Sequence, residues 1–247
     1  MLTDFGLVHL LLIWAVVVFA SVMRSFTGFG FALCAVPVFS LFLPPTQAVV
    51  VSASLTLSIS LLSLRTYWGV VPLRPMLPLV AMALLGTATG AALLTTISVT
   101  QFQLWVGLAV IMACFGLTFF HPRKRGLSPV LAGITGLFSG LMNGAFAIPG
   151  PPMIIYAMAT EPQPRRSRAL LMTFFLFSAV LALGSYGAAG FISAQSVWHF
   201  LLAFPAMYAG DKLGYYLFQR FGDALYRRIA LAGLLAVGVT ITLRALL

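Results

Sequence analysis

Apolar residues occupy this chain in long, nearly continuous blocks, separated by short stretches where proline, glycine or clustered charge breaks the run. Helices normally stop at such positions. The blocks are Leu7–Met23, Phe29–Phe42, Thr46–Leu64, Met76–Thr96, Phe102–Phe120, Pro129–Met142, Pro152–Ala159, Arg168–Gly190, Val197–Gln219 and Ala224–Ala245. Most approach the roughly 20 residues that cross the hydrocarbon of a bilayer as a helix. Phe29–Phe42 and Pro152–Ala159 are short, and Gly and Pro flank or interrupt them. These two predict broken or re-entrant elements, tolerated at membrane depth only where protein or a water-filled cavity surrounds the exposed backbone.

The two short blocks hold matching places. Each is the second element of a half, followed by a Pro-containing loop and three long blocks. Aligning Ala48 with Ala169, and Gly86/Gly90 with Gly210/Gly214, gives an internal period of about 120 residues. With five segments per half, an odd number, the second half enters from the opposite side. The expected fold class is therefore an all-α polytopic membrane protein of two inverted structural repeats, residues 1–122 and 123–247, in one integral membrane domain. Interrupted helices at equivalent places of inverted repeats point to a secondary transporter with a midplane site.

Composition agrees. The chain has 247 residues, 61% hydrophobic and 7% charged, with mean hydropathy +1.07; soluble domains are about a quarter charged. A net charge of +10 would suit nucleic acid, but the positions of the charges argue for topology. Eleven of the fourteen basic residues fall in four clusters: Arg65 and Arg74; Arg123, Lys124 and Arg125; Arg165, Arg166 and Arg168; Arg220, Arg227 and Arg228. The connections around 43–46, 98–101 and 191–196 carry none. This alternation is what the positive-inside rule predicts. It places the clusters in the cytoplasm, beside anionic lipid heads, and both termini outside an inner or plasma membrane. No nucleic-acid partner is expected. Leu7–Met23 lacks a preceding basic region and an Ala-x-Ala-type cleavage site, so it is expected to be a retained helix. Cys34 and Cys114 lie in apolar blocks and predict neither a disulfide framework nor a metal site.

Candidate chemistry gathers at the two breaks. In Arg24-Ser25-Phe26-Thr27-Gly28-Phe29-Gly30, Gly28 and Gly30 allow backbone conformations closed to other residues. N–H groups at the following helix start would favour an anion. Thr27 adds a hydroxyl, and Arg24 a permanent charge whose fork suits carboxylate or sulfonate oxygens. Close helix packing explains the glycines as well, and a snorkelling Arg24 is the alternative to a substrate contact. The counterpart is Asn143-Gly144-Ala145-Phe146-Ala147-Ile148-Pro149-Gly150-Pro151-Pro152. Its prolines stop one helix and start the next, while Asn143 offers a polar group for substrate or for an interhelical hydrogen bond.

Substrate binding is thus assigned to Arg24, Thr27, Gly28, Gly30, Asn143, Gly144 and Gly150, and maintenance of the breaks to Pro37, Pro149 and Pro151. Ser52, Ser54, Thr56, Ser58 and Ser60 share helix faces four apart; they read as a polar path or, more simply, as small residues at helix contacts. Thr173, Ser178 and Ser185 are a weaker set. Asp211, with Lys212, falls inside a long block, where an ionisable residue is a functional candidate; it is the candidate for proton coupling, against a local pairing near the helix end. An enzyme is not indicated: carboxylates are few and scattered, no Gly-Lys-Ser/Thr phosphate loop occurs, and no metal-ligand spacing is present. No cofactor is expected.

At these residues the chain resembles the TauE/SafE family of sulfite and organosulfonate exporters. The resemblance rests on a Gly-rich break, a Val-Pro and apolar run, and Pro-x-x-Ala opening the next helix, in both halves. Here these are Thr27-Gly28-Phe29-Gly30, Val36-Pro37 and Pro45-Thr46-Gln47-Ala48; then Asn143-Gly144 through Pro152, and Pro164 through Ala169. Small-residue helices such as Gly86-Thr87-Ala88-Thr89-Gly90 fit as well. The resemblance implies about eight complete or broken transmembrane helices, and export of sulfite, sulfoacetate or a related small anion by alternating access. This chain departs from the family's consecutive glycines, having Phe29 and Phe146 at the breaks, and its basic stretch makes the spacing from Pro164 to Ala169 longer than Pro-x-x-Ala. A larger or more apolar organic acid is therefore an alternative substrate. An anion channel and an intramembrane assembly factor are the rival classes, and the oligomeric state is open, a homodimer included.

Overall fold

The computed structural model describes residues 7–27, 30–119, 128–161, 163–221, 235–236 and 238–243. Every regular element among them is helical: α1 (Leu7–Thr27), α2 (Phe31–Phe39), α3 (Pro45–Leu62), α4 (Leu64–Tyr67), α5 (Leu77–Leu94), α6 (Val99–Phe119), α7 (Pro129–Phe146), α8 (Gly150–Thr160), α9 (Pro164–Ala188) and α10 (Ala194–Phe221). A 3₁₀ turn at Arg74–Met76 precedes α5, and 238–243 are helical. Pro45, Pro78, Pro129, Pro151 and Pro164 each fall in the first turn of a helix, where a missing N–H costs nothing. Proline thus sets these starts, at Pro129 where the sequence placed it and elsewhere within a few residues of it.

By length and composition, five stretches among the described residues can cross a membrane: Pro45–Leu62, Arg74–Leu94, Val99–Gly116, Pro129–Phe146 and Pro164–Ala188. The chain is a multi-pass membrane protein. Large apolar side chains stay exposed along these helices, Leu84, Leu85, Met112 and Phe138 among them, as expected when lipid is the solvent.

Several boundaries differ from expectation. α1 continues past Met23 to Thr27, so Arg24 stands on a helix and not in a loop. α7 continues past Met142 to Phe146, carrying Asn143 and Gly144 with it. The second break is therefore only 147–149. α9 starts at Pro164, four residues before Arg168. Of the expected segment Ala224–Ala245, only 235–236 and 238–243 are among the described residues.

Glycine decides which helices touch. α5 and α7 form the most extensive pair, and their glycines interdigitate: a Cβ added at Gly86 or Gly90 would strike the carbonyl oxygen of Leu137 or Leu141. From the other side, Gly136, Gly140 and Gly144 meet the carbonyls of Leu79, Ala83 and Thr87. α1 and α10 form the second most extensive pair, through Gly210 on Val18 and Ser21, and Gly214 on Val22 and Ser25. Without a hydrophobic drive between helices in lipid, such backbone-close seams supply the packing. The two seams clamp α1 and α7, the helices that lead into the breaks.

Candidate functional site

α1 and α7 each end against a break, and a short helix leaves each break. Gly30, at φ 101°, occupies the left-handed region ahead of α2. The first backbone bond of α2 runs from Cys34 N to Gly30 O, 3.1 Å. The N–H groups of Phe31, Ala32 and Leu33 thus precede any intrahelical partner. At the second break Ala147 takes φ 55°, and the last turn of α7 closes by Ala147 N–H to Asn143 O, 2.7 Å, and Ile148 N–H to Met142 O, 3.4 Å, a glycine-type helix end achieved with the smallest Cβ. Ser139 donates its hydroxyl to Pro149 O, fastening the break to α7. Pro151 and Pro152 bring no N–H, so α8 offers fewer free donors in its first turn than α2 does.

These parts enclose a cavity, about 450 Å³ of interatomic space with its mouth included. From the breaks and short helices come Gly30, Phe31, Ala32 and Leu33, and Ala147, Ile148, Pro149 and Gly150. α1 and α7 contribute Arg24 and Asn143, α3 Ala53 and Thr56, and α9 Phe175, Ser178 and Ala179. The starts of α2 and α8 therefore face one space.

Arg24 is 2% exposed. Its Nη2 donates to Ser60 Oγ on α3 at 3.0 Å, and Ser60 passes its own proton to Thr56 O at 2.7 Å. Arg24 Nε has no hydrogen-bond partner among the described residues, and neither has Thr56 Oγ1 or Ser178 Oγ. Three buried polar groups on three helices, all lining the cavity, lack partners that buried polar groups normally find. Each can donate, so the set suits an acceptor: an anion. Asn143 is already engaged, its Nδ2 donating to Ser178 O at 2.8 Å and Thr87 Oγ1 at 3.3 Å, while Tyr186 donates to its carbonyl at 2.8 Å.

Of the residues expected at the site, Arg24, Gly30, Asn143, Pro149 and Gly150 line the cavity. Gly144 does not; it is part of the seam with α5. Gly28 and the side chain of Thr27 lie outside the described residues. Pro37 is buried within α2, and Pro151 is buried in the first turn of α8. Asp211 is also off the cavity: it accepts the Ser25 hydroxyl at 2.8 Å, next to Arg168, which donates to Ser25 O at 2.7 Å. Phe146 turns toward Phe102 on α6, ring centroids 5.6 Å apart, so the bulk it adds to the break lies away from the cavity walls.

Thr56 and Ser178 were visible only as members of larger hydroxyl sets. Ser54 and Ser58 return their protons to carbonyls of their own helix, on Val50 and Ser54, as does Thr173 to Ala169. Period alone could not separate these from the two that face the cavity. Phe31 and Phe175 carried no signal in a chain with 21 phenylalanines. No group of three His, Cys, Asp or Glu side chains comes together among the described residues.

A family model described as Sulfite exporter TauE/SafE matches residues 13–241. A "Probable sulfite/organosulfonate exporter TauE" of Cupriavidus necator is 30% identical over 114 residues, 46% of this chain and 44% of that protein. The chain thus aligns with under half the length of this curated relative. No solved structure matches.

Proposed function

The chain belongs to the TauE/SafE sulfite exporter family, and from that premise we propose that it transports a small sulfur-containing anion, sulfite or an organosulfonate, through the cavity between α2 and α8. The observation that carries this is that Arg24, Thr56 and Ser178, which line one cavity, each hold a buried polar atom (Nε, Oγ1 and Oγ) with no hydrogen-bond partner among the described residues. Two helix N-termini face the same space and add favourable partial charge. Walls of Phe31, Leu33, Ile148 and Phe175 suit an apolar substituent on the anion.

Inverted repetition accounts for the arrangement. Arg24 and Asn143 are 119 residues apart, Gly30 and Gly150 120, Thr56 and Ser178 122. The helix pairs follow the same exchange: α1 on α10 answers α7 on α5, and α3 on α10 answers α9 on α5. α2 and α8, of nine and eleven residues, would be about 14 and 16 Å long. Each is near half of the roughly 30 Å hydrocarbon core. Running from opposite faces, they would meet start to start at the midplane, completing a set of about eight whole or broken spans. Rocking of one repeat against the other would then open the cavity to either side. Cytoplasmic basic clusters, with both termini outside, follow from the same topology.

Arg24→Ala tests this reading. In proteoliposomes with protein level and folding matched to the unsubstituted chain, flux of a sulfonate should be lost. Undiminished, saturable flux would remove Arg24, and the cavity with it, from the transport path.

A further inference from the structure

We infer that the group seated at Arg24 carries a single negative charge, so that the cavity accepts hydrogen sulfite or a sulfonate head and rejects the sulfite and sulfate dianions. This rests on the transport reading above and narrows it to one charge state. Arg24 is the one charged residue lining the cavity among the described residues. The other lining residues that hold an unpartnered buried hydroxyl among the described residues, Thr56 and Ser178, are neutral. Beyond the lining, the groups in electrostatic range of Arg24 are Asp211, Tyr67 and Arg168. Tyr67 donates its hydroxyl to Ser60 O, 2.7 Å. Asp211 and Arg168 flank Ser25, one accepting from its hydroxyl and the other donating to its carbonyl. Their charges are opposite, so the pair supplies no net second cation beside Arg24.

What remains is one full positive charge plus a helix-end contribution of about half a charge from α2. α8 adds less through hydrogen bonds, since two prolines open its first turns. This balance neutralises a monoanion with charge to spare, and what disfavours a dianion is its desolvation. Taking a dianion from water costs about four times as much, because the Born penalty grows with the square of the charge. Its attraction to fixed charges only doubles. A second cation would be needed to recover the difference, and the equivalent position in the other half holds Asn143.

The test uses the full chain in proteoliposomes and three probes: methanesulfonate, a monoanion throughout; sulfate, a dianion near neutrality; and sulfite, whose second ionisation falls between the two pH values chosen, one unit below it and one unit above. Apparent affinity for total sulfite should fall about tenfold from the lower to the higher pH, in step with the monoanion fraction. Affinity for methanesulfonate should stay constant, and sulfate should fail to compete. Sulfite affinity that holds or rises with pH, or sulfate competing as well as methanesulfonate, would overturn the inference and leave the transporter reading standing. Methanesulfonate affinity falling in step with sulfite would also overturn it, since the titration would then belong to the protein. If none of the three anions moves, the transport reading itself fails and the inference falls with it.

Discussion

Replacing Gly140 by Ala puts a methyl group into the seam that orients α7. The added Cβ would lie against the carbonyl oxygen of Ala83, with the Ala83 Cα at 2.8 Å and its carbonyl carbon at 2.9 Å. These are backbone atoms and cannot rotate aside, so α5 and α7 must part by about 1 Å at that level. Overpacking of this kind costs up to about 3 kcal/mol. Alanine returns about 1 kcal/mol of helix propensity, leaving a net loss near 2 kcal/mol. Gly184→Ala is the control, because nothing lies within 4 Å of a Cβ there; it should gain up to about 1 kcal/mol. The assay is reversible unfolding in mixed micelles, read by helicity and by a fluorescent ligand of the native state. The function should follow, since Asn143 sits one turn beyond Gly140 and would be drawn from Thr87. Equal stability of the two variants would refute the reasoning, showing that the seam is loose enough to absorb a methyl.

Other outcomes follow from the same geometry. Thr56→Val and Ser178→Ala remove hydroxyls that have no hydrogen bond to lose, so unfolding should be unchanged or slightly harder, while anion affinity drops about tenfold each, near 1.4 kcal/mol; a loss of stability with affinity intact would reverse the assignment. Asp211→Asn keeps an acceptor for Ser25 but removes the charge. If Asp211 couples protons, counterflow exchange should survive while uptake driven by a pH gradient is lost; gradient-driven uptake at the unsubstituted rate would end that role. Cysteine at Ser98 should react with an impermeant thiol reagent on intact cells, and cysteine at Thr66 only after permeabilisation; the reverse would invert the topology. Cys34 and Cys114 are buried, so the background should be low.

Hydropathy alone was enough to determine that this chain is helical and lives in lipid, because apolar blocks of that length have no other solvent. The two breaks were equally legible, since Gly30 permits a left-handed backbone closed to other residues and the prolines at 149, 151 and 152 remove the N–H groups a continuous helix needs. Clustered arginines predict a topology by the positive-inside rule, which the labelling at Ser98 and Thr66 tests. Tertiary structure alone decided where the helices end at the breaks: α1 and α7 run on through Arg24 and Asn143 because each is held along a glycine seam by α10 or α5, contacts that join residues from opposite halves. The same seams turned Gly144 from a candidate ligand into packing. Only the fold could pick Thr56 and Ser178 from their hydroxyl stripes, for the distinction is which proton a helix carbonyl has already taken. A one-dimensional pattern records residue type and period; it does not record which hydroxyl a carbonyl one turn back has already engaged, nor which is left beside a cavity assembled from helices of both halves.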